Sequence, residues 1–199
     1  MNFTYIRTVQ ITSYLLLVLT IMQALFTALY VAGVDVSRQL FWGLEGLLFT
    51  ILAAFAGAAI VQAKNYQVGW SAIAFSAILN VVQVSIGATM FGPFREAASQ
   101  LEGLGSVAGA IVAFSFMVYY AAKFLLGFAA LIFGIAKMTA GTKALGGLTA
   151  LVGVVAMFAN GILVTFGRDA FLPSSVAGGS GVLATLLLAL CLMSVIRKN

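Results

Sequence analysis

Residues 104–136 read LGSVAGAIVAFSFMVYYAAKFLLGFAALIFGIA, and this run contains a single charged side chain, Lys123. A helix needs about 20 mainly apolar residues to cross the hydrocarbon core of a bilayer. The run is longer than that, and it would measure about 50 Å if it were helical throughout. We therefore predict a transmembrane segment here that is either strongly tilted or interrupted near Met117.

Apolar windows of the same kind flank this run along the chain. They cover residues 11–32, 41–63, 68–91, 144–167 and 176–196. The whole chain is 63% hydrophobic and 8% charged, whereas soluble domains carry about 25% charged residues. This composition excludes an ordinary soluble domain, and it also excludes a disordered chain, which would be poor in apolar side chains. We predict an all-α integral membrane protein, in which residues 1–199 form a single polytopic domain: a six-transmembrane-helix bundle with short loops.

The charged residues between the windows predict an orientation. Assigning the loops alternately to the two sides gives one side six basic residues and no acidic ones, namely Arg7, Lys64, Lys137, Lys143, Arg197 and Lys198. The other side receives three basic and four acidic residues, namely Arg38, Arg95, Arg168, Asp35, Glu96, Glu102 and Asp169. Cytoplasmic loops carry the excess of Lys and Arg in membrane proteins. We therefore predict that both termini are cytoplasmic, and we take the bacterial inner (plasma) membrane as the default location.

The longest loop on the predicted outer side, residues 92–103, has a pattern of its own. Pro93 suits the first turn of a helix, because no backbone donor is needed there. The apolar side chains of the loop would then share one face of that helix. We expect either a short helix over residues 93–102 that lies on the membrane surface or an irregular loop.

Missing residue types exclude several kinds of chemistry. The chain has no His, so acid–base catalysis by His, an imidazole-bound zinc and a His-ligated haem cannot be built from this chain alone. The lone Cys191 supports neither an internal disulfide nor an iron–sulfur cluster. Nucleotide-binding and zinc-protease motifs are missing as well. We therefore expect that the protein is not an enzyme, and the identity of any cofactor stays open.

Polar residues inside the predicted spans are the candidates for a site. Glu45 and Lys123 are ionisable, and insertion scales give such groups a cost of roughly 2.5–3.5 kcal/mol at a helix centre. Their predicted depths are similar, so a pair between them is geometrically allowed. Together with four amides they define a candidate ligand or ion-pair pocket, mostly in the outer half of the membrane: Gln23, Glu45, Asn80, Gln83, Lys123 and Asn160. Alternatively, the amides only connect helices and Glu45 extends to the lipid headgroups.

Small residues recur at helical spacing along several spans. They include Ala24, Ala28 and Ala32, Ala54 and Ala58 with Gly57, Gly105 and Gly109, Gly127, Ala130 and Gly134, and Gly146, Ala150 and Gly153. Lipid tails compete for apolar side chains, so helices in membranes associate through close packing of such small residues. We expect most of these Gly/Ala stripes to pack inside the bundle and one or two to face a protein partner or a second copy of the chain.

Two functions are compatible with this pattern. The first is a non-catalytic subunit of a larger membrane assembly that binds a partner protein, lipid or pigment through small-residue helix faces. The alternative is a small transporter or a membrane solute-binding protein that takes a small hydrophobic or anionic ligand in the polar pocket. The basic residues are scattered singly along the chain, which argues against nucleic acid as a partner and leaves the lipid bilayer as the expected environment.

In size and span number the chain resembles the substrate-binding subunits of vitamin-uptake transporters and, equally, small stress-response membrane proteins. The transporter subunits dock a partner through an alanine stripe on their first span. The resemblance implies the same use for Ala24, Ala28 and Ala32.

Overall fold

The computed structural model describes residues 4–34, 36–101 and 103–196 of the chain. The helices are α1 (Tyr5–Val31), α2 (Arg38–Gln62), α3 (Gln67–Gln100), α4 (Leu104–Thr139), α5 (Lys143–Phe166) and α6 (Ser174–Ile196), with one 3-10 turn (Gly167–Asp169) before α6. Within these described ranges, six helices are long and apolar enough to cross a membrane. The prediction of an all-helical chain with six candidate transmembrane helices is confirmed.

The helices form a closed ring of neighbours. Each packs against the next one in sequence, α1 packs against α6, and α4 also contacts α6. Because an even number of helices runs back and forth, the start of α1 and the end of α6 lie at the same end of the bundle. We call this the terminal end and the opposite one the far end. Arg7, Lys64 and Lys143 lie at the terminal end, and Arg38 and Arg95 lie at the far end.

Helix α3 continues through the stretch predicted to be a separate surface helix. It has 34 residues and contains Pro93 in its interior, so residues 93–100 extend α3 and the prediction of an independent helix over 93–102 is corrected. Proline removes one intrahelical hydrogen bond, and the helix that contains it packs against α4. At 1.5 Å per residue α3 measures about 51 Å, compared with about 37 Å for α2.

Helix α4 is likewise uninterrupted over its 36 residues, and the break considered near Met117 is not found. The helix packs against α3, and both helices of this hairpin are longer than the ~30 Å hydrocarbon core of a bilayer. The hairpin therefore projects beyond the far end of α2. This projection places the last turns of α3 and the first turns of α4 beside the beginning of α2.

Glycine residues bring the backbones of α4 and α5 into direct contact. A Cβ atom at Gly134 would lie 2.5 Å from the backbone nitrogen of Ala150, and one at Gly153 would lie 2.6 Å from the carbonyl oxygen of Gly127. The predicted stripe of Gly127, Ala130 and Gly134 on α4 therefore packs against that of Gly146, Ala150 and Gly153 on α5, inside the bundle. By contrast, a Cβ atom at Gly105, at the start of α4, or at Gly57 of α2 would have no neighbour within 4 Å.

Candidate functional site

Lys123 is fully buried, with 0% of its surface exposed. Side chains lean toward the N-terminus of their helix, so the Lys123 stem extends from α4 toward the far end. Gly181 of α6 makes room for it, because a Cβ atom there would lie 2.9 Å from each of Cβ, Cγ and Cδ of Lys123. The ammonium nitrogen lies 5.2 Å from the ring centroid of Tyr119, a distance at which the ring face attracts a cation.

The Lys123 ammonium group is bound by an amide from α1, a helix whose backbone, over the described residues, is not in contact with that of α4. Its Nζ donates a hydrogen bond of 2.5 Å to Oε1 of Gln23 on α1, although the backbones of α1 and α4 are not in contact within the described chain. The long lysine side chain crosses that gap. It therefore ties together two helices whose backbones, in the part of the chain that the structure describes, are not in contact.

Gln23 also forms a hydrogen bond to a third helix, α2. Its Nε2 donates a hydrogen bond of 2.6 Å to Oε1 of Glu45 on α2. One amide thus accepts from a cation and donates to a carboxylate, and these opposite charges define which end of the amide faces which partner. We call Lys123, Gln23 and Glu45 the polar network.

Among the residues that the structure describes, the link between Lys123 and Glu45 runs through Gln23. The direct pair considered from the sequence is therefore replaced by a bridged pair. Opposite charges held on one polar group offset part of the cost of burying each of them. The network is not sealed, because Gln23 and Glu45 are half-buried whereas Lys123 is completely enclosed.

The register of the helices explains why the two charges need a bridge. A Cβ atom on Gly46 would lie 3.1 Å from Cγ2 of Val84, so this part of α2 is level with residue 84 of α3. The hydroxyl of Ser76 donates to the carbonyl of Ala122 over 2.8 Å, which sets the neighbourhood of Lys123 level with residue 76. The eight-residue difference along α3 corresponds to about 12 Å between these two backbone levels. The Lys123 side chain and the Gln23 amide together span that difference.

Asn80 lies on α3 and hydrogen-bonds to Ser76, the residue that connects α3 with α4. It is fully buried, and its Nδ2 donates to the carbonyl of Ser76 over 2.9 Å. Because Ser76 is in turn bonded to the carbonyl of Ala122, Asn80 belongs to a helix-connecting cluster next to Lys123. Its Oδ1 has no hydrogen-bond partner among the described residues.

Asn160 and Gln83 are positioned elsewhere. Asn160 donates to the carbonyl of Ala156 over 2.8 Å and to that of Ala177 over 3.0 Å, so it joins α5 to the start of α6. For Gln83, the backbone carbonyl accepts a hydrogen bond of 3.3 Å from Ser115. The structure thus brings three of the six candidate residues into one network. Of the other three, the Asn160 side chain connects two helices and the Asn80 side chain bonds within α3.

Gly181 is the residue of this site that sequence reasoning missed. It lies in the stretch AGGSG at residues 177–181, which also fits a flexible loop. The signal that would have identified Gly181 is its position opposite the buried Lys123. That position can be seen only when α6 is known to pack against α4.

The polar network does not have the composition of a metal centre. In the ranges 4–34, 36–101 and 103–196, no group of three or more His, Cys, Asp or Glu residues could hold a metal ion. No family model matches the chain, and no curated protein or solved structure is significantly similar to it. Function is therefore inferred from the geometry.

Proposed function

We propose that the chain is a non-catalytic subunit of a larger membrane assembly that binds a partner helix through the outward face of α1. The observation that carries this proposal is a contrast between two small-residue stripes. Gly127 and Gly134 of α4 pack against the α5 backbone, whereas Ala24, Ala28 and Ala32 of α1 are exposed. Small residues on a membrane helix allow another helix to approach closely.

The low burial of α1 supports the same assignment. Only 17% of its most apolar stretch is buried, compared with 50% in α6. Since α1 packs against α2 and α6 alone in the described structure, the rest of its surface is available to lipid or to another protein. A partner on this face would cover the stripe without disturbing the ring of helices.

The half-buried groups of the polar network supply a second argument. Glu45 lies seven residues after the first residue of α2, or about 10 Å along the helix axis, and it is only half-buried. A carboxylate that faces hydrocarbon at such a depth is costly. Gln23 is turned about 140° around α1 from Ala28, toward its partners on α2 and α4. A partner that extends from the Ala24–Ala28–Ala32 stripe (residues 24–32) over the start of α2 would shield Glu45 from lipid.

Site-specific photo-crosslinking in native membranes tests this proposal. A photoreactive side chain at Ala28 should capture a protein species of one defined mass, either a second copy of the chain or a different subunit. The matched control is Val154, which is 46% exposed on α5 and should yield lipid adducts only. If positions 28 and 154 give the same lipid products, α1 carries no partner and the proposal fails.

Association can also be weakened without altering the bundle. The double substitution Ala24→Trp and Ala28→Trp enlarges exposed side chains, so it should reduce the mass of the complex extracted in mild detergent while leaving the melting temperature unchanged. Val154→Trp is the control for added bulk. Extraction of the wild-type protein as a monomer of its chain mass, 20.8 kDa, would contradict the proposal.

The orientation forms part of the proposal. The terminal end carries Arg7, Lys64 and Lys143, and positively charged loops favour the cytoplasm. We place the terminal end on the cytoplasmic side of a bacterial inner (plasma) membrane. Cysteines introduced at Lys64 and Gln39 should then react with a membrane-impermeant reagent from opposite sides, and labelling of position 64 from outside intact cells would reverse the assignment.

A second candidate function, solute binding or transport, is favoured by the enclosure of Lys123. A buried ammonium group and a carboxylate on one amide can exchange partners with a small anionic or protonatable solute. Under this hypothesis Lys123→Ala abolishes uptake or ligand binding while the protein still inserts stably. Loss of stable insertion would instead assign the network a purely structural role.

A further inference from the structure

A groove at the far end is separate from the polar network. It has a volume of about 540 Å³ and lies between the start of α2, the last turns of α3 and the first turns of α4. That volume falls within the ~300–1,000 Å³ range of small-molecule sites. The groove exists because the α3–α4 hairpin projects beyond α2, so the wall formed by these two helices continues past the residue at which α2 begins.

The inner part of the groove is apolar and aromatic. Trp42 and Phe91 line it, and their ring centroids are 5.5 Å apart in an edge-to-face contact. Gly87 holds the indole in place, since a Cβ atom there would lie 2.8 Å from the Trp42 ring. The α4 wall begins with the small residues Gly105, Ala108 and Gly109 and continues with Ile111 and Val112. It is open at its start, because a Cβ atom at Gly105 would have no neighbour within 4 Å.

The outer part of the groove is cationic. Of the described residues that line the groove, the charged ones are Arg38 and Arg95, and no carboxylate is among them. The Arg38 guanidinium carbon lies 5.6 Å from the ring centroid of Tyr30, which restrains the side chain at the beginning of α2. Gly46 is level with Val84, so Arg38, eight residues earlier on α2, is about level with residue 92 of the antiparallel α3. Arg95 is three residues further along α3, which places its backbone about 5 Å beyond that of Arg38 along the helix axis.

We propose that this groove binds an anionic phospholipid of the surrounding bilayer. Arg38 and Arg95 hold the phosphate, and an acyl chain lies along Trp42 and Phe91. An arginine guanidinium fits phosphate oxygens with paired hydrogen bonds, and the arginines stand where α2 begins, at the level of the lipid headgroups. The occupant is thus an amphiphile with its charge at the rim and its apolar part at the depth of the spans. This site lies apart from the α1 face of the proposed function.

Native mass spectrometry of the full chain in detergent tests the proposal. Phosphatidylglycerol and phosphatidylcholine with identical acyl chains are the probes, and the anionic lipid should bind more tightly. Arg38→Gln and Arg95→Gln should each weaken phosphatidylglycerol binding about tenfold, as expected for the loss of a charge-assisted contact. Arg7→Gln, which removes the same charge from an exposed position at the terminal end, should leave binding unchanged.

A steric variant tests the apolar half of the groove. Gly105→Leu adds a side chain where there is open space, so it should reduce binding of both lipids while the protein remains folded. Gly43→Leu is the matched control, because a Cβ atom there also has no neighbour within 4 Å and the residue does not line the groove. If Gly105→Leu reduces folding, the exposed arginine variants still decide the question.

Several results would overturn the proposal. Equal affinity for the two lipids would remove the role of the arginines, and so would equal effects of Arg7→Gln and Arg95→Gln. Competition by inorganic phosphate as strong as that by phosphatidylglycerol would identify a free anion as the ligand.

A photoreactive group at Gly105 that captures a protein would make the groove a protein interface. Because the crosslinks at Ala28 are read independently, failure here is distinguishable from failure of the proposed assembly role.

Discussion

Gly181 of α6 packs directly on the side chain of Lys123 of α4, and a Cβ atom at position 181 would lie 2.9 Å from three of its carbons. Those carbons are the nearest atoms to the missing Cβ. The absence of a side chain at residue 181 is therefore what allows the lysine stem to pass between helices and reach Gln23.

Gly181→Ala is expected to disturb the polar network, although Gly181 itself has no side chain that could hydrogen-bond to the network. The added methyl group must displace the Lys123 stem, and overpacking of this kind costs about 1–3 kcal/mol. The free energy of unfolding in detergent should fall by that amount. Gly179→Ala is the control on the same helix, because a Cβ atom there has no neighbour within 4 Å. If the two variants are equally stable, the Lys123 side chain can move aside without cost and the prediction is wrong.

Lys123→Met is expected to destabilise the bundle by about 3–5 kcal/mol, because it leaves the Glu45 carboxylate without its compensating charge. Adding Glu45→Gln should recover part of this loss, since no uncompensated charge is then left. A double-mutant cycle measured by thermal unfolding gives the coupling between the two residues, which should exceed 0.5 kcal/mol. If the two changes in unfolding free energy are strictly additive, the bridged pair of Lys123 and Glu45 does not contribute to stability. A parallel cycle of Lys123→Met with Arg7→Gln should be additive.

Gln23→Leu removes the bridge and keeps both charges. Lys123 then loses its hydrogen-bond acceptor and Glu45 loses its donor, so two charged groups are left under-satisfied. We expect a larger drop in melting temperature than for Gln83→Leu, which alters a half-buried amide outside the network. The prediction is wrong if both substitutions shift the melting temperature equally.

Gly134→Ala and Gly153→Ala are expected to separate α4 from α5. The added Cβ atoms would lie 2.5 Å and 2.6 Å from backbone atoms of the opposite helix, and backbone cannot move aside as a flexible side chain can. Each variant should lower the melting temperature and the yield of monodisperse protein. Gly57→Ala adds the same methyl group without contacts and should be neutral. Tolerance of Gly134→Ala would mean that the helices are not in backbone contact.

The fold was predictable from the sequence because hydrocarbon imposes simple length and polarity rules on a chain. Lys123 and Glu45 could be singled out for the same reason, since charge inside a span is rare. Their bridging by Gln23 could not be predicted. It depends on the register of α2 and α4 along α3, and no local pattern encodes that register.

The continuation of α3 through Pro93 was missed for a related reason. Local propensity places a proline at the start of a helix, whereas the long contact with α4 stabilises it inside one. The same tertiary contact keeps α4 continuous past Met117. Both differences arise where pairing between distant segments outweighs a local preference.

The packing of α1 against α6 has a consequence for engineering. Tyr5 and Ile196, which bound these helices, belong to adjacent elements at one end of the bundle. A flexible linker could join them, and new ends could be opened at the short connection between α2 and α3. Such a circular permutant would keep every neighbour relation of the ring while changing the order in which the helices leave the ribosome.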